Sequence, residues 1–247
     1  MSQSPPSRHF MPAIPSLEVY TEEGARRGTT DLLSPEDTRH QVVERVIHLA
    51  LCLLETRQGR ESLVDVATTV IQERNRRRIR HIYNRRMEDL PGVIDFFLGT
   101  MRDNFPMTYL VFADGGEASA MKQGGTDIME NFSPKLTGRM TLNRVIIDNM
   151  VDCLRPGQPA TAGYNYLKFK FQMQISVAHE IVHFLTAFLT GSEARRSLTP
   201  SGVSMRGFTS QPSSEHPQGM GESGRYWEGL LLGGVAEFYH DPADPME

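Results

Sequence analysis

The chain is poor in cysteine and tryptophan and has no long hydrophobic run. Cys52 and Cys153 are its only cysteines, too few for a disulfide framework, and Cys52 falls in an apolar helical stretch where it is expected to pack as a small hydrophobe. That scarcity fits a reducing compartment. The apolar segments stop short of the about 20 consecutive residues a membrane-spanning helix needs. Met1–Leu17 is polar, carries four prolines and lacks the apolar stretch of a secretory signal. The expectation is a soluble, cytoplasmic protein without membrane association. An excess of one charge is also missing. With 26 Lys and Arg against 30 Asp and Glu, the formal net charge is −4, which gives no global attraction to nucleic acid or to an anionic membrane. What is there is an ordinary globular balance, 39% hydrophobic and 23% charged over 247 residues, enough for one large or two small domains.

Residues 1–33 mix Pro, Ser, Gly, Thr and charge without periodicity and read as a flexible lead. A helical region, 34–105, should follow. Its first helix is expected to start at Ser34-Pro35-Glu36-Asp37, with Ser34 as N-cap and the two acids at the positive end of the dipole. Val42, Val43, Val46, Ile47, Leu49, Ala50, Leu53 and Leu54 recur at helical spacing up to a break at Gln58-Gly59. A second helix over Glu61–Met87 and a short one over Val93–Met101 complete the region. The second carries a basic stretch, Arg74, Arg76, Arg77, Arg78, Arg80, Arg85 and Arg86. Such a run can hold an anionic substrate or nucleic acid, but Glu73, Glu88, Asp89 and the negative total charge favour a solvated, neutralised face.

From Met107 the pattern turns to strands. Tyr109–Ala113, closed by Asp114-Gly115-Gly116, and the β-branched run Arg144–Asp148 are the two expected strands, and the irregular connection over Gly115–Gly138 has room for another near Met121. The region 106–247 is expected to form one compact unit with 34–105. Ser192–Gly221 reads as a long Ser, Pro, Gly and Arg-rich loop, a pocket wall or lid on one reading and disorder on the other. Arg195 and Arg196 could hold a substrate carboxylate or simply favour the preceding helix terminus.

The chemistry is concentrated in His179-Glu180-Ile181-Val182-His183, inside the apolar run Val177–Leu189. Histidines four apart share a helix face with Cβ atoms about 5–6 Å apart, so both imidazoles can reach one metal ion. Glu180 is rotated off that line, toward the water that would fill an open coordination position. Phe169, Phe171, Met173, Ile175, Ile181, Phe184, Leu185 and Phe188 leave almost no polar stripe, so the helix is expected to be buried, and Gly191 to stop it. Buried histidines and a glutamate need partners that offset their desolvation. One set of partners is backbone carbonyls for His179 and His183 with an arginine for Glu180; the other is a metal.

At these residues the chain resembles the zincin metallopeptidases, over this helix and part of the C-terminal quarter. The resemblance implies an α+β zincin-like domain, with a small mixed β-sheet ahead of a central HExxH helix and substrate lying along the edge strand, here preceded by a helical N-terminal region. It implies Zn2+ held by His179, His183 and a third ligand, with Glu180 as general base. The metzincin form requires glycine and histidine where Thr186 and Leu189 stand, which leaves the gluzincin pattern with Glu222, Glu228 or Glu237 as third ligand. Gly221-Glu222 is similar to the GExxxD segment of neprilysin-like gluzincins and singles out Glu222. Tyr226 stands where that segment has its histidine-orienting aspartate, so this role would pass to Glu228 or Asp241. The competing readings are that Glu222 caps a helix and Glu228 is a surface acid. Oxyanion stabilisation falls to Arg225, Tyr226, Tyr239 or His240, of which Tyr226 and His240 are the catalytic candidates. The implied function is a zinc-dependent metallopeptidase, or a hydrolase of small amides, with no nucleic-acid or membrane partner. The alternative is a non-catalytic zincin-like binding module with a structural metal.

Overall fold

The structure, a computed structural model, describes residues 14–22, 30–113, 116–192, 203 and 221–238. Strands β1 (Val19–Glu22), β2 (Thr30–Leu32), β3 (Met107–Val111), β4 (Ala118–Lys122) and β5 (Gly138–Asn143) form one mixed sheet in the order β2-β1-β3-β5-β4. β1, β3 and β5 run parallel, and β2 and β4 close the two edges antiparallel. Alternation sorts the side chains. Val19, Thr21, Thr108, Leu110, Met140 and Leu142 are fully buried, while Tyr20, Tyr109, Thr141 and Ser119 line up across the other face, where the two tyrosines stack with ring centroids 5.1 Å apart.

Among the described residues seven α-helices accompany the sheet: α1 (Thr38–Leu54), α2 (Arg57–Arg76), α3 (Leu90–Asp103), the single turn α4 (Pro134–Thr137), α5 (Arg144–Cys153), α6 (Thr161–Thr190) and α7 (Ser223–Leu232). The α6 helix is the hub and touches α1, α2, α5, α7 and β4. A single cluster of buried apolar residues runs from Ile14 to Trp227, and within it Phe188 packs against Phe97 and Phe132 at 5.5 and 4.8 Å between ring centroids. The architecture is therefore α+β with a small mixed sheet, as the resemblance implied. Gly191 does end the long helix, at φ 72, a left-handed conformation that glycine adopts without steric cost.

Several local expectations need correction. The lead contains β1 and β2, because Val19 and Thr21 enter the core and β1 pairs with both β2 and β3. Asp37, not Ser34, caps α1, its carboxylate accepting the Arg39 N–H at 2.7 Å. The break after α1 falls at Glu55-Thr56, where Thr56 caps α2 by accepting the Gly59 N–H, so Gln58-Gly59 lie inside α2. That helix ends at Arg76, eleven residues before the expected boundary at Met87. Arg78 takes φ 57, and the buried Arg74 donates Nε–H to the Arg80 carbonyl at 2.7 Å, fixing a return of the chain that helical spacing alone does not show.

The run Arg144–Asp148 is not a strand. It lies in α5, directly after β5, because the Asn143 side chain caps the helix by accepting the Val145 N–H at 3.1 Å. Ile147 and Met150 then face the core, and tertiary packing overrides the β preference of Val145-Ile146-Ile147. The expected strand near Met121 is β4. In the basic stretch, Arg76 and Arg77 pair with Glu73, Arg80 with Asp127, Arg85 with Glu130 and Arg86 with Asp89.

Candidate metal centre

His179, Glu180 and His183 sit in the second half of α6, and their potential ligand atoms all lie within 4.8 Å of one another, a cluster that could hold a metal ion. The two Nε2 atoms are 3.3 Å apart. Each ring is tethered by its other nitrogen to α7. The Nδ1 of His179 is 2.6 Å from Glu228 Oε1, and the Nδ1 of His183 is 3.2 Å from Ser223 Oγ. With both Nδ1 atoms so engaged, both Nε2 atoms are left facing the same space, the arrangement a metal site needs from paired histidines.

Glu222 enters that space. Its carboxylate oxygens lie 2.5 Å from His183 Nε2 and 3.2 Å from His179 Nε2, while Oε2 also accepts the Arg225 N–H at 3.0 Å and so caps α7. The two sequence readings of Glu222, helix cap and ligand, are thus compatible in one side chain. Glu228 is not a surface acid, and it meets His179 at Nδ1. It is 3% exposed, and its second oxygen accepts the Ala236 N–H at 2.9 Å. Ser223 and Gly224 let α7 approach this closely, since a Cβ on Gly224 would fall 2.2 to 2.5 Å from ring atoms of His179.

Two carboxylates therefore compete for the ligand role. Glu180, which also lies within 4.8 Å of both imidazole ligand atoms, is tied to the sheet, its Oε2 accepting the Ala120 N–H at 2.6 Å. The Asn143 N–H to Glu117 carbonyl and Gln123 N–H to Thr137 carbonyl bonds put the odd-numbered residues of this segment in register with β5. The backbone polar groups of Ala118, Ala120 and Lys122 consequently point away from β5, toward the side where Ala120 meets Glu180, and β4 is the edge strand beside the site. Glu222 touches both Nε2 atoms, whereas Glu180 is anchored on β4.

The electrostatics follow from burial and mutual contact. Burial alone would lower the His179 pKa, but the carboxylates of Glu222 and Glu228 overcome it and raise it to about 10. Burial likewise works to raise Glu222, yet its hydrogen bonds to the two imidazoles hold it well below the usual carboxylate range. Glu180 is pushed up, by burial first, against the opposing pull of His183, His179 and the Ala120 N–H. The same contacts favour the protonated form of His179 in the metal-free site, in competition with a bound cation.

The other candidates are placed elsewhere. The Tyr226 hydroxyl lies 3.3 Å from Thr69 Oγ1 on α2. Arg225 pairs with Glu237 at 3.4 Å. His240, Tyr239, Asp241, Arg195 and Arg196 lie outside the described residues. Ser223, Gly224, Ala120 and Ala236 carry no sequence signal of their own; only the small residues flanking Glu222 hint at close approach. Comparison with protein-family models, curated proteins and solved structures found no match to this chain.

Proposed function

We propose that this chain is a zinc-dependent hydrolase of the HExxH type, a metallopeptidase or amide hydrolase, with His179, His183 and Glu222 as metal ligands and Glu180 as general base. The observation that carries the reading is the convergence of both imidazole Nε2 atoms on the Glu222 carboxylate, with both Nδ1 atoms tethered away. Two nitrogens and one carboxylate are the donor set of an open zinc site with a place left for solvent. When bound, zinc would supply Lewis acidity toward a carbonyl and bring the pKa of water down to about 7.

The remaining work belongs to Glu180. Its raised pKa moves it toward the range in which a carboxylate accepts a proton from attacking water and returns it to a departing nitrogen. The edge strand β4, whose Ala120 N–H already bonds that carboxylate, supports a peptide or small amide as substrate by bringing extended backbone beside the base.

A second reading is favoured by one fact. Glu180 also lies within 4.8 Å of both imidazole ligand atoms, so it could act as a fourth ligand and close the site as a structural centre. Glu180→Gln separates the two. Under the hydrolase reading, elemental analysis finds one zinc per chain in wild type and variant alike, while peptidase activity falls at least about 100-fold, the usual contribution of a general base. Loss of the zinc together with thermal stability would establish the structural reading, and wild-type protein that takes up no zinc would refute both.

A further inference from the structure

We propose that the segment following α7, residues 233–238, is a strap that fixes the ring orientation of His179 by way of Glu228; its link to metal binding rests on the ligand set proposed above. Gly233, at φ 76, ends α7 and turns the chain back. Three contacts then hold the segment down. Ala236 donates its N–H to Glu228 Oε2 at 2.9 Å, Glu237 pairs with Arg225 at 3.4 Å, and the Phe238 ring meets Phe171 of α6 edge-on at 6.2 Å between centroids. Glu228 is the joint. Its other oxygen is 2.6 Å from His179 Nδ1, and the side chain is almost wholly buried.

A buried carboxylate tolerates this place only while both oxygens are satisfied. Without the Ala236 N–H, Oε2 is left with a desolvation penalty and no bond, and the side chain relaxes toward water, releasing His179 Nδ1. His183 is outside this device, because its Nδ1 is served by the Ser223 hydroxyl. The strap should therefore act on one ring and spare the other. Glu228 and Ala236 are positioning residues; neither reaches the Nε2 side of the site.

The test uses the full chain with Ala236→Pro, which deletes the N–H, and Phe238→Ala, which removes the ring contact but no backbone donor and guards against misfolding of the first variant. In metal-free protein, imidazole proton–nitrogen correlation spectra are expected to show a protected His179 Nδ1 proton in wild type that is lost in Ala236→Pro and weakened in Phe238→Ala, with His183 unchanged in both. Competition with a chelator is expected to show zinc binding weakened about tenfold in Ala236→Pro, the size typical of losing a partner behind a ligating histidine.

Glu228→Gln supplies the double-mutant cycle. Its amide oxygen can serve His179, but its NH2 then confronts the Ala236 N–H, so Ala236→Pro is expected to cost much less in that background. Identical His179 spectra in wild type and both strap variants would overturn the proposal. Wild-type protein that binds no zinc, yet shows a strap-dependent His179 proton, would refute the hydrolase reading and leave the positioning role established.

Discussion

Gly224→Ala puts the proposed site under a direct steric test. The added methyl would lie 2.2 Å from His179 Cδ2, 2.3 Å from Nε2 and 2.5 Å from Cγ. Ordinary contact begins near about 3.4 Å, so the ring must retreat by about 1 Å. It has little freedom to do so, because Glu228 grips Nδ1 and Glu222 faces Nε2. Metal–ligand distances tolerate only about 0.2 Å, so a shift of this size removes one ligand. Zinc affinity is expected to fall by about 100-fold, or about 2.7 kcal/mol, and strain at the α6–α7 contact to destabilise the protein by about 1–3 kcal/mol. Helix propensity alone has the opposite sign, since alanine is better than glycine in a helix by up to about 1 kcal/mol. Gly99→Ala in α3, where an added Cβ meets nothing within 4 Å, should follow propensity and serve as the control. Chelator competition and urea unfolding on the two variants supply the readout. A Gly224→Ala protein that binds zinc like wild type and unfolds later would refute the packing of α7 on His179.

Stability of the chelator-stripped protein should depend on pH through His179 and Glu222. His179 has a folded pKa raised to about 10 from 6.5, so its contribution is complete below pH 6.5 and is lost as pH rises through about 10; Glu222 is depressed from 4.5, so its contribution holds above that value and is lost in acid. Calorimetry across pH should show both flanks, and His179→Ala should flatten the alkaline one. Phe188→Ala removes a ring that is 2% exposed and packed between Phe97 and Phe132, at an expected cost of about 3–5 kcal/mol in urea unfolding. Ala120→Pro deletes the N–H that Glu180 accepts at an edge position where proline removes no bond to β5. The acid limb of the pH–activity profile should move to higher pH, because burial of Glu180 is then less opposed, and an unmoved limb would show that β4 does not tune the base.

The metal cluster was the most legible part of the sequence, because helix periodicity alone brings His179 and His183 to one face and leaves Glu180 beside them. The glycine stop at Gly191 was legible for the same local reason. Glu222 required the resemblance to single it out, and its dual engagement with Arg225 N–H and both imidazoles depends on how α7 docks, which no local pattern encodes. Glu228 was read both as a surface acid and as an acid that could orient a histidine, and its contact with His179 Nδ1 at 2.6 Å favours the second; nothing in Tyr226-Trp227-Glu228 announces that the residue turns inward beneath the chain returning at Ala236. The helix α5 was missed because Val145-Ile146-Ile147 has strand propensity, and only the Asn143 cap and the burial of Ile147 and Met150 decide otherwise. β1 and β2 escaped notice for want of length, as strands of four and three residues carry too few alternations to stand out from a polar lead.

Glu222 also joins two processes that proteins commonly keep apart. One carboxylate starts α7 by holding the Arg225 N–H and at the same time faces both imidazoles. Under the ligand set proposed above, fraying of the first turn of α7 would withdraw a ligand, and seating a cation would pin that turn in place. Order at the beginning of the helix and occupancy of the centre thus become a single variable, so the cation would behave as a rivet between α6 and α7 as much as a reagent.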